Sequence, residues 1–124
     1  MPIKSWIEKD KKRVMAMVSG SFSIEDILIN INNTIEDPDF EKGFNILSDH
    51  TEIESVITTE QARMTASHLE RLSKDFANSK WAVVTKKEAS FGMMRMLSVF
   101  LENIPIHLEV FKSLDEAEKW LDKQ

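Results

Sequence analysis

The sequence contains no cysteine, which excludes a disulfide framework, a thiolate zinc site and a cysteine nucleophile together. Stability must come from packing. No uninterrupted apolar run approaches the length that crosses a bilayer, and the first residues, MPIKSWIEKDKKR, lack the apolar centre of a signal peptide. The expectation is a cytoplasmic protein, with a bacterium as its host. Positive charge is also in deficit. At a formal net charge of -5 the chain has no overall attraction for nucleic acid or an anionic membrane, since both require a positive field. Its densest basic cluster, Lys9, Lys11, Lys12 and Arg13, is interrupted by Glu8 and Asp10 and reads as a solvated turn. None of the three glycines belongs to a phosphate-cradling loop.

What is present is a soluble globular balance, 42% hydrophobic against 30% charged over 124 residues, enough for one core and too little for two. Residues 1–124 are therefore read as a single domain. Residues 3–9 alternate loosely, as an edge strand does. VMAMV at 14–18 is apolar on both faces and predicts a central strand covered on both sides, closed by Gly20. Ile24, Ile27, Leu28, Ile31 and Ile35 recur at helical spacing behind Ser23, and this helix ends before Pro38. A short strand at 44–48 leads into Asp49 and His50, placed in a loop. Thr58 and Gln61 form a capping box for a second helix carried by Ala62, Ala66, Leu69, Leu72 and Phe76, which ends at Asn78. WAVVT at 81–85 is a second doubly apolar strand. Ile106–Phe111 alternates cleanly, as the opposite edge should, and Ser113 with Glu116 opens a last helix through Leu114, Ala117, Trp120 and Leu121. The order β-β-α-β-α-β-α-β-α predicts an α/β fold with one mostly parallel five-stranded sheet that begins with an antiparallel hairpin.

The helix expected at 90–102, SFGMMRMLSVFLE, is richer in apolar side chains than one sheet face needs. Met93, Met96, Leu97 and Phe100 make one stripe, and Phe91, Met94 and Leu101 make a second on the flank. Phe91, Met93, Met94, Leu97 and Leu101 are accordingly the candidate partner or ligand face, methionine being suited to varied contacts.

The strand VMAMVSG, the stretch IEDPDFEKGFNILSD, the segment WAVVTKKEASFGMMRM and the closing EVFKSLDEAEKWL together resemble the small bacterial STAS-like, or SpoIIAA-like, proteins, related in fold to anti-sigma-factor antagonists. The resemblance implies a non-enzymatic regulatory or protein-interaction domain. In the antagonists a serine after the strand that here ends at Asp49 is phosphorylated. This sequence lacks the Asp-Ser-Ser-Gly type of turn and offers only Ser55, Thr58 and Thr59 there, so Ser55 and Thr58 are weak candidates. Some relatives are grouped with lipid-carrying folds, which implies an apolar ligand as an alternative.

Loops at the carboxyl ends of parallel strands converge on one sheet edge, and there Asp49, His50, Lys86, Lys87, Ser90 and Gly92 form a candidate anion site. Asp49 and His50 are the best acid-base pair on offer, but no Gly-x-Ser-x-Gly nucleophile accompanies them. His68 and His107 lack second ligands at metal spacing. The acidic turn at 37–41 fails as a calcium loop, having Pro38 at its second position and Lys42 where glycine is needed. The expectations are no enzyme activity, no metal and no cofactor. A homodimer through the 90–102 helix is the first functional reading, with a protein as the kind of partner. The alternative is a binding module for a lipid or other small apolar molecule between that helix and the sheet.

Overall fold

The computed structural model describes residues 2–123. Its elements run β1 (Ile3–Glu8), β2 (Arg13–Gly20), α1 (Ile24–Glu36), β3 (Asn45–Ile53), α2 (Thr59–Arg71), β4 (Ser79–Val84), α3 (Glu88–Phe100), β5 (Ile106–Phe111) and α4 (Leu114–Asp122). The strands form one sheet in the order β1-β2-β3-β4-β5. β1 and β2 pair antiparallel, from Ile3 opposite Val18 to Glu8 opposite Arg13, and the remaining neighbours are parallel. A four-residue connection cannot carry a crossover, so the hairpin is forced. Lys12 takes the left-handed conformation, φ 54°, that closes the turn.

Local chemistry fixes the helix starts. Ser23 and Thr58 each accept a hydrogen bond from the N–H three residues on, while the side chains of Asp26 and Gln61 accept one from the backbone N–H of the cap residue. Both are the reciprocal boxes read from the sequence. α2 stops sooner than its apolar periodicity implied, at Arg71. Residues 72–78 are turns in which Phe76 stays buried and Asn78, at φ 64°, leads the chain into β4.

Helices α1, α2 and α3 lie on one face of the sheet, and their apolar residues join Val83, Ile106 and Leu108 in the larger core. Among the described residues α4 alone covers the other face, where Ala117 and Leu121 meet Leu47, Ala82 and Val84. Consequently β2 is not covered on both sides as its sequence suggested. Val14 and Val18 are buried toward the three helices, whereas Met17 is 42% exposed on the α4 side, next to Trp6 at 45%. One short helix spans β3, β4 and β5 and leaves the hairpin open. Arg13 anchors its last turn through a 2.8 Å bond from Nη2 to Asp122 Oδ1.

This uneven cover predicts uneven costs on one sheet face. Leu47→Ala should lose about 2–5 kcal/mol of stability through its cavity. Met17→Ala, under no helix, should stay within about 0.5 kcal/mol of the wild type, both read from urea unfolding.

Candidate functional site

The side of the sheet under α1 has a deficit of volume. Ser5 stands opposite Ala16, and Ala16 opposite Ser48, so a row of small side chains crosses three strands. Above it α1 offers Ile27 and Ile31, both only half-buried, and among its residues Thr34 alone is fully buried. β-Branched side chains have few rotamers with which to reach down into such a gap. The result is a cavity of about 100 Å³ between sheet and helices, with Ala16, Ile46 and Trp81 on its floor, Ile31 and Leu69 above, and Met94 and Leu97 at the α3 end. Its walls are almost wholly apolar, and among the described residues no lysine, arginine, aspartate or glutamate lines it.

Polar groups enter at few points. Asn30 donates from Nδ2 to Ser5 Oγ at 3.0 Å, and the hydroxyls of Thr34 and Thr65 donate back into their own helices. On the sheet side Ser48 Oγ and His50 Nε2 are 2.8 Å apart in a buried hydrogen bond. Residues two apart on a strand share a face, which is how NILSDHTEI delivers both to the cavity.

A bulge holds that geometry. Met17 faces Asp49 and Ser19 faces Glu52, so β3 carries one residue more than β2 across His50 and Thr51. Asp49 Oδ1 accepts from the Thr51 N–H at 2.9 Å and from its hydroxyl at 2.7 Å, closing the bulge from the opposite face. Asp49 therefore positions the strand and does not touch the imidazole. Burial pushes the His50 pKa down to about 4, against the opposing pull of the Asp49 charge. The ring is neutral at physiological pH.

The loop placement of His50 read from the sequence is thus corrected: β3 continues to Ile53, and His50 is a core residue. The six groups expected to converge on an anion do not form one constellation. Lys86, Lys87 and Gly92 are exposed, Ser90 is buried, and Asp49 is committed to Thr51. Lys87 caps α3 without a side-chain bond, while Glu88 in the first turn pairs with Lys112 at 2.8 Å, which lowers its pKa. Ser55 Oγ accepts from the Phe22 N–H and Thr58 is the α2 cap, so both hydroxyls already have structural partners.

On α3 the buried stripe is Ser90, Met94, Leu97 and Leu101, in place of the Met93, Met96, Leu97 and Phe100 stripe read from the periodicity. Met94 at 5% and Leu101 at 1% exposure lie in the core of their own chain, and Met93 packs partly against it. Phe91 is half-buried, with Arg95 and Lys112 over its ring. Of the five residues assigned to a partner face, Met94 and Leu97 instead reach the cavity. Missing from the sequence reading were Ser48, Ala16, Thr65, Trp81 and the inner side of α1. The available signal was a serine and a histidine two apart in an otherwise apolar strand. Among the described residues no group of three or more histidine, aspartate or glutamate side chains is placed to hold a metal ion, and no helix is long and apolar enough to cross a membrane.

No protein-family model and no curated protein matches this chain. Among solved structures it is similar to an uncharacterised protein of the DUF3478 family with a SpoIIAA-like fold from Shewanella loihica. The match covers 96% of this chain and 93% of that one, with a TM-score of 0.64 and 16% identity. The SpoIIAA-like fold expected from the sequence is the fold observed.

The depressed pKa of His50 makes stability depend on pH. The unfolded state, titrating near 6.5, binds a proton that the folded state refuses until about 4. The contribution is complete above 6.5 and is lost as pH falls toward 4. By pH ~5 the loss should amount to about 2 kcal/mol, measured as the extra acid sensitivity of the wild type over His50→Gln in urea titrations.

Proposed function

We propose that this chain is a binding module for a small, uncharged, mainly apolar molecule that carries one polar group. The cavity beneath α1 is the observation that supports it: about 100 Å³, apolar, with the Ser48–His50 pair on its floor. A cavity of this order accepts a benzene-sized guest when its walls are dry and preformed. The alternative ligand position expected from the sequence, between the 90–102 helix and the sheet, moves toward α1 and α2, and α3 contributes only its inner residues.

Charge sets the ligand class. Among the described residues no cation faces the cavity, and the one titratable group on its wall is a neutral imidazole. An anionic head would lose its hydration without gaining a counter-ion. An alcohol, amide or ketone could exchange hydrogen bonds with Ser48 or His50 at no such cost. A long acyl chain exceeds the space and would require α1 to lift.

Three probes separate these cases at neutral pH: n-butanol, phenol and butyrate. The first two should shift the methyl resonances of Ile31, Met94 and Leu97, and butyrate should leave them in place. Ala16→Leu, which fills the cavity with three further carbons, should abolish the shifts while the protein stays folded. Failure of both neutral probes to perturb those methyls in the wild type would sink the proposal.

A further inference from the structure

β5 is the outer strand of the sheet, and hydrogen bonding shows which of its backbone groups are already used. The N–H groups of Asn78 and Thr85 donate to the carbonyls of Pro105 and Phe111. Odd-numbered positions of β5 therefore turn toward β4, and Ile106, Leu108 and Val110 turn outward. The Ile106 N–H is taken by the Ile104 carbonyl at 2.7 Å. The edge presents the N–H groups of Leu108 and Val110 and three carbonyls. A groove of about 860 Å³ runs along it, bounded above by Arg95 and Val99 of α3 and by Glu102 just past its end. Val99 is 57% exposed.

We infer that this edge joins a second copy of the same chain, β5 against β5, antiparallel about a two-fold axis at Leu108. In that register Leu108 opposes the partner's Leu108 and exchanges both bonds with it. Ile106 opposes the partner's Val110, whose N–H donates to the Ile106 carbonyl. Because the Ile106 N–H is engaged, each half of the axis gains one such bond and the pairing is shorter than the strand.

Charge complementarity selects a second copy as the occupant. His107 and Glu109 project from the same face of β5, one on either side of Leu108, and pair with each other at 3.2 Å. The two-fold operation sets each His107 against the partner's Glu109, a close non-hydrogen-bonded pair. It also brings the two α3 flanks together antiparallel. Arg95 of α3 and Glu102, just past its end, both line the groove, so each Arg95 approaches the partner's Glu102. The His107–Glu109 hydrogen-bonding pair and the Arg95–Glu102 charge pair are both symmetric about one axis, as an isologous contact requires. At the other edge of the sheet α1 packs against β1, and Asn30 donates to the side-chain hydroxyl of Ser5.

Sedimentation velocity on the full chain tests this independently of any ligand. The wild type should dimerise with rising concentration. Glu109→Lys and Glu102→Arg, both at exposed positions, should each raise the dimer Kd by about tenfold or more with unchanged circular dichroism. Adding His107→Glu to the first, or Arg95→Glu to the second, should restore dimers, which a merely damaged fold would not do. A wild type that stays monomeric into the millimolar range overturns the inference. So does a dimer that ignores these reversals and dissolves on Trp6→Lys, which would place the contact on β1.

Discussion

Sequential strand order is the constraint from which most of this molecule follows. When β2, β3, β4 and β5 lie side by side in the order of the chain, each crossover of the same hand must pass over the same face. Three helices then crowd one side and a single C-terminal helix is left for the other. The open hairpin face with Trp6 and Met17 is a direct result. So is the absence of a switch point among the parallel strands, where helices on opposite faces would part to form a crevice at the strand ends. Open space in such a fold lies between the helical layer and the sheet, which is where the cavity is.

The fold was largely legible because its signals are local. Ser23 with Asp26 and Thr58 with Gln61 announce helix starts without reference to the rest of the chain, and Ile106–Phe111 alternates because one of its faces is exposed. The candidate site was not legible in the same way. His50 looked like a loop residue because β3 reads as ended at Ser48, and only pairing with Ser19 and Gly20 extends it to Ile53. A bulge between parallel strands leaves no mark on periodicity. The phase of α3 was equally hidden, since Met93, Met94, Met96 and Leu97 are apolar in every direction and tertiary packing chose among them.

The cavity has a similar origin in relations between strands. Ser5, Ala16 and Ser48 lie far apart in the sequence, and each is unremarkable alone. Register places them in one row, beneath a helix whose isoleucines stop short. Neither the small residues nor the half-buried face of α1 would suggest space without the other.

The Ser48–His50 pair gives that space its chemical character. Each group satisfies one bond of the other, so the pair is buried at little cost. Capacity is nevertheless left over. A neutral imidazole has one donor and one acceptor, and a hydroxyl has one donor and two lone pairs. Whichever way the proton between them is shared, the serine oxygen keeps a lone pair and the ring keeps its second nitrogen. Charging the ring would forfeit this balance, because burial opposes an imidazolium with no carboxylate in the cavity to meet it. Neutrality of His50 and the uncharged lining are thus two expressions of one fact: the helical layer buries this part of the sheet among apolar side chains, where an ion would lose its hydration.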